Sequence, residues 1–380
     1  MHFDLNEDQR MMREAAREFA EKEIKPVAAK LDEEAEFPAE IVRKLGELGF
    51  MGVMVPEEYE GAGMDAVSYA ISVEEISRAD ASTGVIMSVN NSLVCQPLLD
   101  FASEEIKKKY LTRLASGSAL GAFSLTEPEA GSDVGNLQCT AVLDGDNYII
   151  NGTKIFVTNG GAADIVLLFA STNREAGSRG LSAFVIEKGF EGFSVGKKED
   201  KMGIRASVTS ELVFEDCRVP KENLVGEEGM GFKISMIALD GGRIGIAAQA
   251  VGIAQACLDE SVRYSKERKQ FGKSISSFQA IQWMLADMAT RIEASRLLTY
   301  QAAFVKDSGA RFSKDAAMAK LFASETAVDA AVDAVQIHGG YGYMKEYAVE
   351  RLFRDSKITE IYEGTSEIQR LVIATHLLKG

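Results

Sequence analysis

Apolar positions recur at helical spacing at both ends of the chain and cluster into short runs in its middle. Near the start, Met12, Ala15, Ala16 and Phe19 fall on one side of a helix. Asn6 stands ahead of them as an N-cap, with Gln9 three residues on as its capping-box partner. Pro38 restarts the chain before a second apolar face of Ile41, Leu45 and Leu48. The stretch Pro56-Glu57-Glu58-Tyr59-Glu60-Gly61-Ala62-Gly63 predicts a loop, and further helices are expected over 66–79, 84–100 and 103–116.

The texture changes near Gly121. Val142, the polar run Asp144-Gly145-Asp146-Asn147 and Tyr148-Ile149-Ile150 predict a hairpin. Asn151-Gly152 predicts a second two-residue turn before a strand over Thr153 to Val157. Ile165 to Phe169, Ala183 to Ile186 and Leu212 to Phe214 are further strand candidates, with no helical pattern between them. This all-β stretch should end near Gly226-Glu227-Glu228-Gly229-Met230-Gly231. From Phe232 the helical period returns. Ile281, Leu285, Met288 and Ile292 predict the buried face of one long helix, and Val328, Val332, Val335 and His338 that of another.

Length and composition narrow the class. The 380 residues suit two or three domains, and 46% apolar content supplies ample cores. A net charge of -15 argues against nucleic acid as a partner. Cys95, Cys139, Cys217 and Cys257 are far apart and form no CxxC, so buried thiols of a reducing compartment are expected. With only His2, His338 and His376 beside them, no metal site is expected. Met1 leads directly into the first helix, so no signal peptide is expected. No run of about 18 apolar residues occurs, so no membrane insertion and a cytoplasmic protein are expected. No GxGxxG follows a strand, and neither a P-loop nor a GxSxG is present.

The chemistry concentrates in a series of motifs. They are Phe123-Ser124-Leu125-Thr126-Glu127-Pro128-Glu129-Ala130-Gly131-Ser132-Asp133, then Lys154-Ile155-Phe156-Val157-Thr158-Asn159, then Asp240-Gly241-Gly242-Arg243. Arg268-Lys269-Gln270-Phe271-Gly272, Gln336-Ile337-His338-Gly339-Gly340-Tyr341-Gly342 and Ile361-Tyr362-Glu363-Gly364-Thr365-Ser366-Glu367-Ile368-Gln369-Arg370 follow. In identity, order and spacing this series resembles the acyl-CoA dehydrogenases along nearly the whole chain, and most of all the short-chain, butyryl-CoA type. The resemblance implies an α+β protein of three domains. These are an N-terminal all-α domain over 1–121, a middle β-barrel or sandwich over 122–231 and a C-terminal four-helix bundle over 232–380. It also implies FAD as cofactor, a part in fatty acid metabolism and a homotetramer built as a dimer of dimers.

The reaction so implied is α,β-dehydrogenation of an acyl-CoA thioester to the trans-2-enoyl-CoA. Glu363 matches the family's general base, whose own backbone N–H helps hold the thioester oxygen. Some relatives carry a glutamate at the place of Gly242 instead, which leaves Glu363 as the candidate here. Phe123, Leu125, Thr126, Ser132, Phe156 and Thr158 match the flavin contacts. Arg268 and Gln279 match contacts to the pyrophosphate and adenosine. Gln336, Gly339 and Gly340 match a segment that completes a neighbouring subunit's site, and Thr365 and Glu367 touch FAD after the base. Ser132, Asn91, Asp240, Arg243 and Gly364 match positions near the acyl-CoA. Apart from the resemblance, Thr126 and Thr158 read as ordinary strand threonines, Arg243 as a helix salt bridge and Asn91 as a structural hydrogen bond.

The stretch Ser88 to Leu93 resembles the short-chain members, so acyl groups near four carbons are expected. Alicyclic thioesters such as cyclohexane- or cyclohexene-carboxyl-CoA are the alternative, with Asn91 able to reach a ring. A flavin-free binding relative is a third reading. The related oxidases carry an additional C-terminal domain, so electrons are expected to leave through an electron-transfer flavoprotein.

Overall fold

A computed structural model describes residues 4–379. The chain opens with helices α1 (Glu7–Phe19), α2 (Ala28–Glu34), α3 (Ala39–Glu47) and α4 (Ala66–Ala79). Asn6 caps α1 through the expected reciprocal pair. Gln9 N donates to Asn6 Oδ1 at 2.8 Å, and Asn6 N donates to Gln9 Oε1 at 3.1 Å. Ala16 and Phe19 enter the core, but Ala15 stays exposed. Ile41 and Leu45 are buried, whereas Leu48 lies just past the end of α3 and is turned outward. α4 is buried almost along its length.

The helix expected over 84–100 starts earlier, at Ala81, where Asp80 Oδ2 accepts from Thr83 N at 2.8 Å. It consists of α5 (Ala81–Ser88), a π-helical stretch over Val89–Cys95, and α6 (Gln96–Phe101). Such widened turns are rare and gather at functional sites. Two short helices, α7 (Glu104–Ile106) and α8 (Thr112–Ala115), complete the first helical block.

Strands β1 (Gly121–Ser124), β2 (Thr140–Asp144), β3 (Asn147–Thr158), β4 (Ile165–Ser171), β5 (Leu181–Glu187), β6 (Phe193–Lys198), β7 (Thr209–Pro220) and β8 (Leu224–Val225) follow. The order is β6-β7-β3-β2-β4-β5-β8, with β1 parallel to β4. β2 and β4 share one residue pair, Thr140 with Ser171, so the sheet divides there. Residues from both parts, among them Ile150, Phe214, Leu168 and Phe184, fill one core.

The turn expected at Asn151-Gly152 is absent. β3 runs straight through it, because β7 pairs with it on both sides of a register shift between Ile150 and Gly152. Asn151 bonds Asp216 across the irregularity, its Oδ1 accepting from Asp216 N at 2.8 Å. Gly152 has φ 150°, and a Cβ there would come within 2.8 Å of Cys139. Turn-type residues serve a bulge here rather than a hairpin.

The last block holds α9 (Gly231–Glu267), a small hairpin of β9 (Lys269–Gln270) and β10 (Lys273–Ser274), then α10 (Gln279–Asp307), α11 (Ser313–His338), α12 (Ala348–Ile358) and α13 (Ser366–Lys379). α9 is long and apolar enough to pass as a membrane span, with mean hydropathy 1.2 over its best window. That window is 78% buried inside the protein, so α9 is the central core helix. The buried stripe of α11 is Ala316, Ala319, Ala323, Ala327, Ala330, Ala331 and Ala334. The expected valine face is not the core: Val328 and Val335 are half-buried and Val332 is 48% exposed. Alanines let two helices approach closely, so the bulkier valines fall outside the contact. All four cysteines are buried and free. No metal-binding cluster occurs among the described residues, from which His2 is excluded.

Candidate active site

The loop between α12 and α13 places Glu363. Its backbone sits at φ 52° and that of Gly364 at φ 94°, two successive left-handed residues. Such a kink turns the Glu363 side chain inward onto α9. The residue is half-buried overall, but its Oε2 is out of solvent and has no hydrogen-bond partner. That oxygen lies directly over Gly242, where any Cβ would overlap it and would also meet Leu93 Cδ2 at 2.8 Å. Burial pushes the Glu363 carboxyl up to about 8, against the fields of Lys320 and Arg243. The N–H groups of Glu363, Gly364 and Thr365 have no acceptor among the described residues. Thr365 stands just ahead of α13, its Oγ1 accepting from Ile368 N at 3.4 Å, and Glu367 is exposed in the first turn.

Arg243, one residue after Gly242, is buried and its Nη1 donates to Asp240. Asp240 also accepts from Ser313 Oγ of α11. Burial lowers the Arg243 pKa, and its Nε has no partner. Asp240 and Arg243 of α9 are therefore brought together with Glu363, whose loop packs on that helix at Gly242. Two neighbours were not anticipated. Lys320 of α11 donates to Gly364 O at 2.8 Å, and Gln369 Nε2 donates to the same oxygen at 2.7 Å. A lone lysine within the alanine-rich run of α11 was the available signal for the first.

The face of α9 that carries Gly242 continues through Gly245 to Gln249. Gly245 leaves room for the Tyr69 and Ser88 hydroxyls, which pair at 2.8 Å. Gln249 accepts from the Tyr362 hydroxyl and donates to Ala81 O at 2.8 Å. Asn91 does not take part. Its Nδ2 donates to Phe50 O at 2.9 Å and Met87 O at 3.0 Å, and its Oδ1 accepts from Val53 N at 2.8 Å. Both amide protons are spent on backbone, so Asn91 is a structural residue and not a substrate contact.

The α5–α6 segment is the wall shared with the β domain. On one side it carries Leu93 and Ser88 against α9; on the other, Asn90 Oδ1 accepts from Gly121 N at 2.9 Å. Asn159 Nδ2 donates to Ile86 O at 3.3 Å and Gly121 O at 3.0 Å. The ends of β1 and β3 thus pack on the side of this segment that faces the β domain, and α9 with Gly242 packs on Ser88 and Leu93. Here Phe123 is half-buried against Phe169, and Thr126 and Thr158 are half-buried. Phe156 is 61% exposed at φ 55°. Ser124 Oγ, Asn159 Oδ1 and Ser210 Oγ are buried without partners. Leu125 packs its side chain into a core, which leaves only its backbone for a ligand, and Ser132 is exposed on the following loop. The loop is held by a buried ion pair missed in the sequence: Lys154 Nζ reaches Glu127 Oε1 at 2.7 Å and Leu125 O at 3.0 Å.

Arg268 is not near Glu363. It lines a cavity of about 500 Å³ with Tyr264, His338, Gly339, Gly340 and Tyr341. His338 stacks on Tyr264 at 4.2 Å, and the Arg268 guanidinium lies 5.4 Å from the Tyr341 ring centroid. Gln279 and Gln336 are exposed nearby on α10 and α11. Gly242 and Arg268 are 26 residues apart on α9, about 39 Å at 1.5 Å per residue. Arg268 therefore groups with Gly339 and Gly340.

Comparison with known proteins matches this arrangement throughout. Family models for the acyl-CoA dehydrogenase N-terminal, middle and C-terminal domains match residues 6–118, 122–217 and 229–378. The chain is 55% identical over 379 residues to the short-chain specific acyl-CoA dehydrogenase of Clostridium acetobutylicum, covering 100% of both. It superposes on butyryl-CoA dehydrogenase from Megasphaera elsdenii with a TM-score of 0.98 and 48% identity, over 100% of each chain. A chain in the structure of the electron transferring flavoprotein of Acidaminococcus fermentans, a study of flavin-based electron bifurcation, gives a TM-score of 0.99 and 54% identity over 100% of each. The chain belongs to the acyl-CoA dehydrogenase family.

Proposed function

We propose that this chain catalyses FAD-dependent α,β-dehydrogenation of a short-chain acyl-CoA thioester to the trans-2-enoyl-CoA, with electrons passing to an electron-transfer flavoprotein. The carrying observation is the Glu363 carboxylate, buried over Gly242 with Oε2 unpartnered. A base for a weak carbon acid needs a raised pKa and a free oxygen, and Glu363 has both. It takes the α-proton: the Cα–H bond breaks, an O–H bond forms on Glu363, and the electron pair moves toward the thioester carbonyl. The N–H of Glu363, which has no backbone acceptor among the described residues, would donate to that oxygen. FAD, when bound, would supply the acceptor for the β-hydrogen as hydride and the route for two electrons to an electron-transfer flavoprotein. Phe123, Thr126, Phe156 and Thr158, with the orphaned Ser124 and Asn159 atoms, suit the flavin. Arg243 and Asp240 are assigned to the CoA side, and Ser132 to the loop beside it.

The short-acyl reading rests on the similarity to short-chain enzymes and on the Tyr362–Gln249 and Tyr69–Ser88 pairs beyond Gly242. With Asn91 spent on backbone, the alicyclic alternative loses the polar group it invoked. A homotetramer belongs to the same proposal. Arg268 lies too far along α9 for one dinucleotide to reach both it and Glu363, so the cavity with Gly339 and Gly340 serves a neighbour's FAD. Phe271 is 93% exposed and Trp283, Phe304 and Leu371 more than half exposed, as an uncovered interface would leave them. A cytoplasmic setting follows the sequence reading. The test is anaerobic flavin bleaching by butyryl-, palmitoyl- and cyclohexane-carboxyl-CoA. Butyryl-CoA should bleach fastest; equal bleaching by palmitoyl-CoA rejects the short pocket, and a protein that cannot take up FAD rejects the redox reading.

A further inference from the structure

Lys320 has a place in the site that the dehydrogenation reading does not use. It lies in the alanine stripe of α11 and is fully buried. Burying an ammonium costs several kcal/mol unless something offsets it. No carboxylate lies within ion-pair distance of Lys320 among the described residues. Its one hydrogen bond, at 2.8 Å, goes to the carbonyl of Gly364, the residue that follows the base. Glu363 and Gly364 both hold left-handed backbone, which for a non-glycine residue costs roughly 1–2 kcal/mol and persists only under external restraint. Gln369 supplies a second restraint, to Gly364 O at 2.7 Å and Glu363 O at 3.3 Å.

Charged groups face Lys320 from each packed element. Arg243 comes from α9, Glu360 and Glu363 from the loop, and Glu367 from α13. Burial pulls the Lys320 ammonium down to about 8, and among the charges that hold it up Glu363 contributes the most. The cation thus sees the base through space while gripping its backbone.

We propose that Lys320 is a positioning residue for Glu363: it pins the Gly364 carbonyl so that the Glu363 carboxylate and N–H face the thioester, and its ammonium, while protonated, favours the ionised base. The assignment rests on Glu363 being the base. A neutral side chain at 320 leaves the carboxylate in the same pocket without its most strongly attracting cation, so the proton is held to higher pH.

The test uses the FAD-loaded protein and two variants, Lys320→Met and Lys320→Gln, with Glu363→Gln beside them. Flavin reduction by butyryl-CoA is followed from pH 6 to 10, and the Glu363 carboxyl is titrated by difference infrared spectroscopy against Glu363→Gln. Lys320→Met should move both the rate profile and the carboxyl titration upward by about one pH unit or more, with roughly tenfold slower reduction at pH 7 and recovery at high pH. Lys320→Gln keeps a donor for Gly364 and should show the same shift with a fuller recovery; it also serves if the methionine variant does not fold. An unshifted titration in the folded variant, with the rate unchanged or lowered equally at every pH, overturns the inference. Glu363→Gln retaining reduction would instead overturn the base assignment, so the two failures are separable.

Discussion

At the scale of single residues, the site is organised by what is missing from Gly242. The absent side chain is the space that the Glu363 carboxylate occupies. Gly242→Ala should therefore push the Glu363 carboxylate out of line and, if it is the base as proposed, slow flavin reduction by roughly 10²-fold while FAD is retained, measured by stopped-flow bleaching and the flavin spectrum. The raised pKa of Glu363 also has a thermodynamic sign. Its unfolded carboxyl titrates near 4.5 and its folded one near 8. Between these values the unfolded chain gives up a proton that the folded chain keeps, so stability falls as pH rises from about 5 to 8. Glu363→Gln cannot lose that proton. Its melting temperature should gain on the wild type steadily across this range; a constant difference would mean that Glu363 is ionised throughout. Glu363, Asp240 and Arg243 were legible from their motifs. Lys320 and Gln369 were not, because their roles exist only once α11 and α13 fold against the loop.

At the scale of elements, the β1 and β3 loops owe their shape to charge rather than to turns. Lys154 and Glu127 are both almost wholly buried, and Glu127 also accepts from Cys139 N at 3.0 Å. Lys154→Met would strand a buried carboxylate and should cost about 3–5 kcal/mol. Thermal unfolding should show it, together with weaker flavin retention; an unchanged melting curve would make the pair dispensable. Local chemistry predicted the capped α1 and the Asp144–Asn147 hairpin, since each is settled within a few residues. It failed at Asn151-Gly152, where β7 recruits turn-forming residues into a bulge. It failed again on α11, where valines outweigh alanines in hydrophobicity but alanines win the close contact with α9. Neither neighbour strand nor neighbour helix is visible to a pattern read along one segment.

At the scale of the whole molecule, the helical, β and helical blocks are clamped by side chains from distant parts of the chain. Asp355 of α12 accepts from Ile204 N at 2.6 Å, and Arg354 holds Asp32 at 2.7 Å. Arg354→Ala should loosen the contact between α2, the 200–207 loop and α12, visible as faster hydrogen exchange there with little change near Glu363. The order of the three blocks was legible early because each keeps one hydrophobic period over a hundred residues or more. The proposed assembly came from the resemblance alone, since the exposed aromatics on the hairpin and α10 read as ordinary surface in the sequence.

That separation has a genetic consequence. If each flavin is gripped by Arg268 of one chain and served by Glu363 of another, then a defect in either residue disables a different partner in the same joint. Two inactive alleles, Arg268→Ala and Glu363→Gln, should then complement when co-expressed, because some mixed joints draw both intact halves. Activity in the co-purified hybrid, absent from either parent alone, would count the chains that build one site.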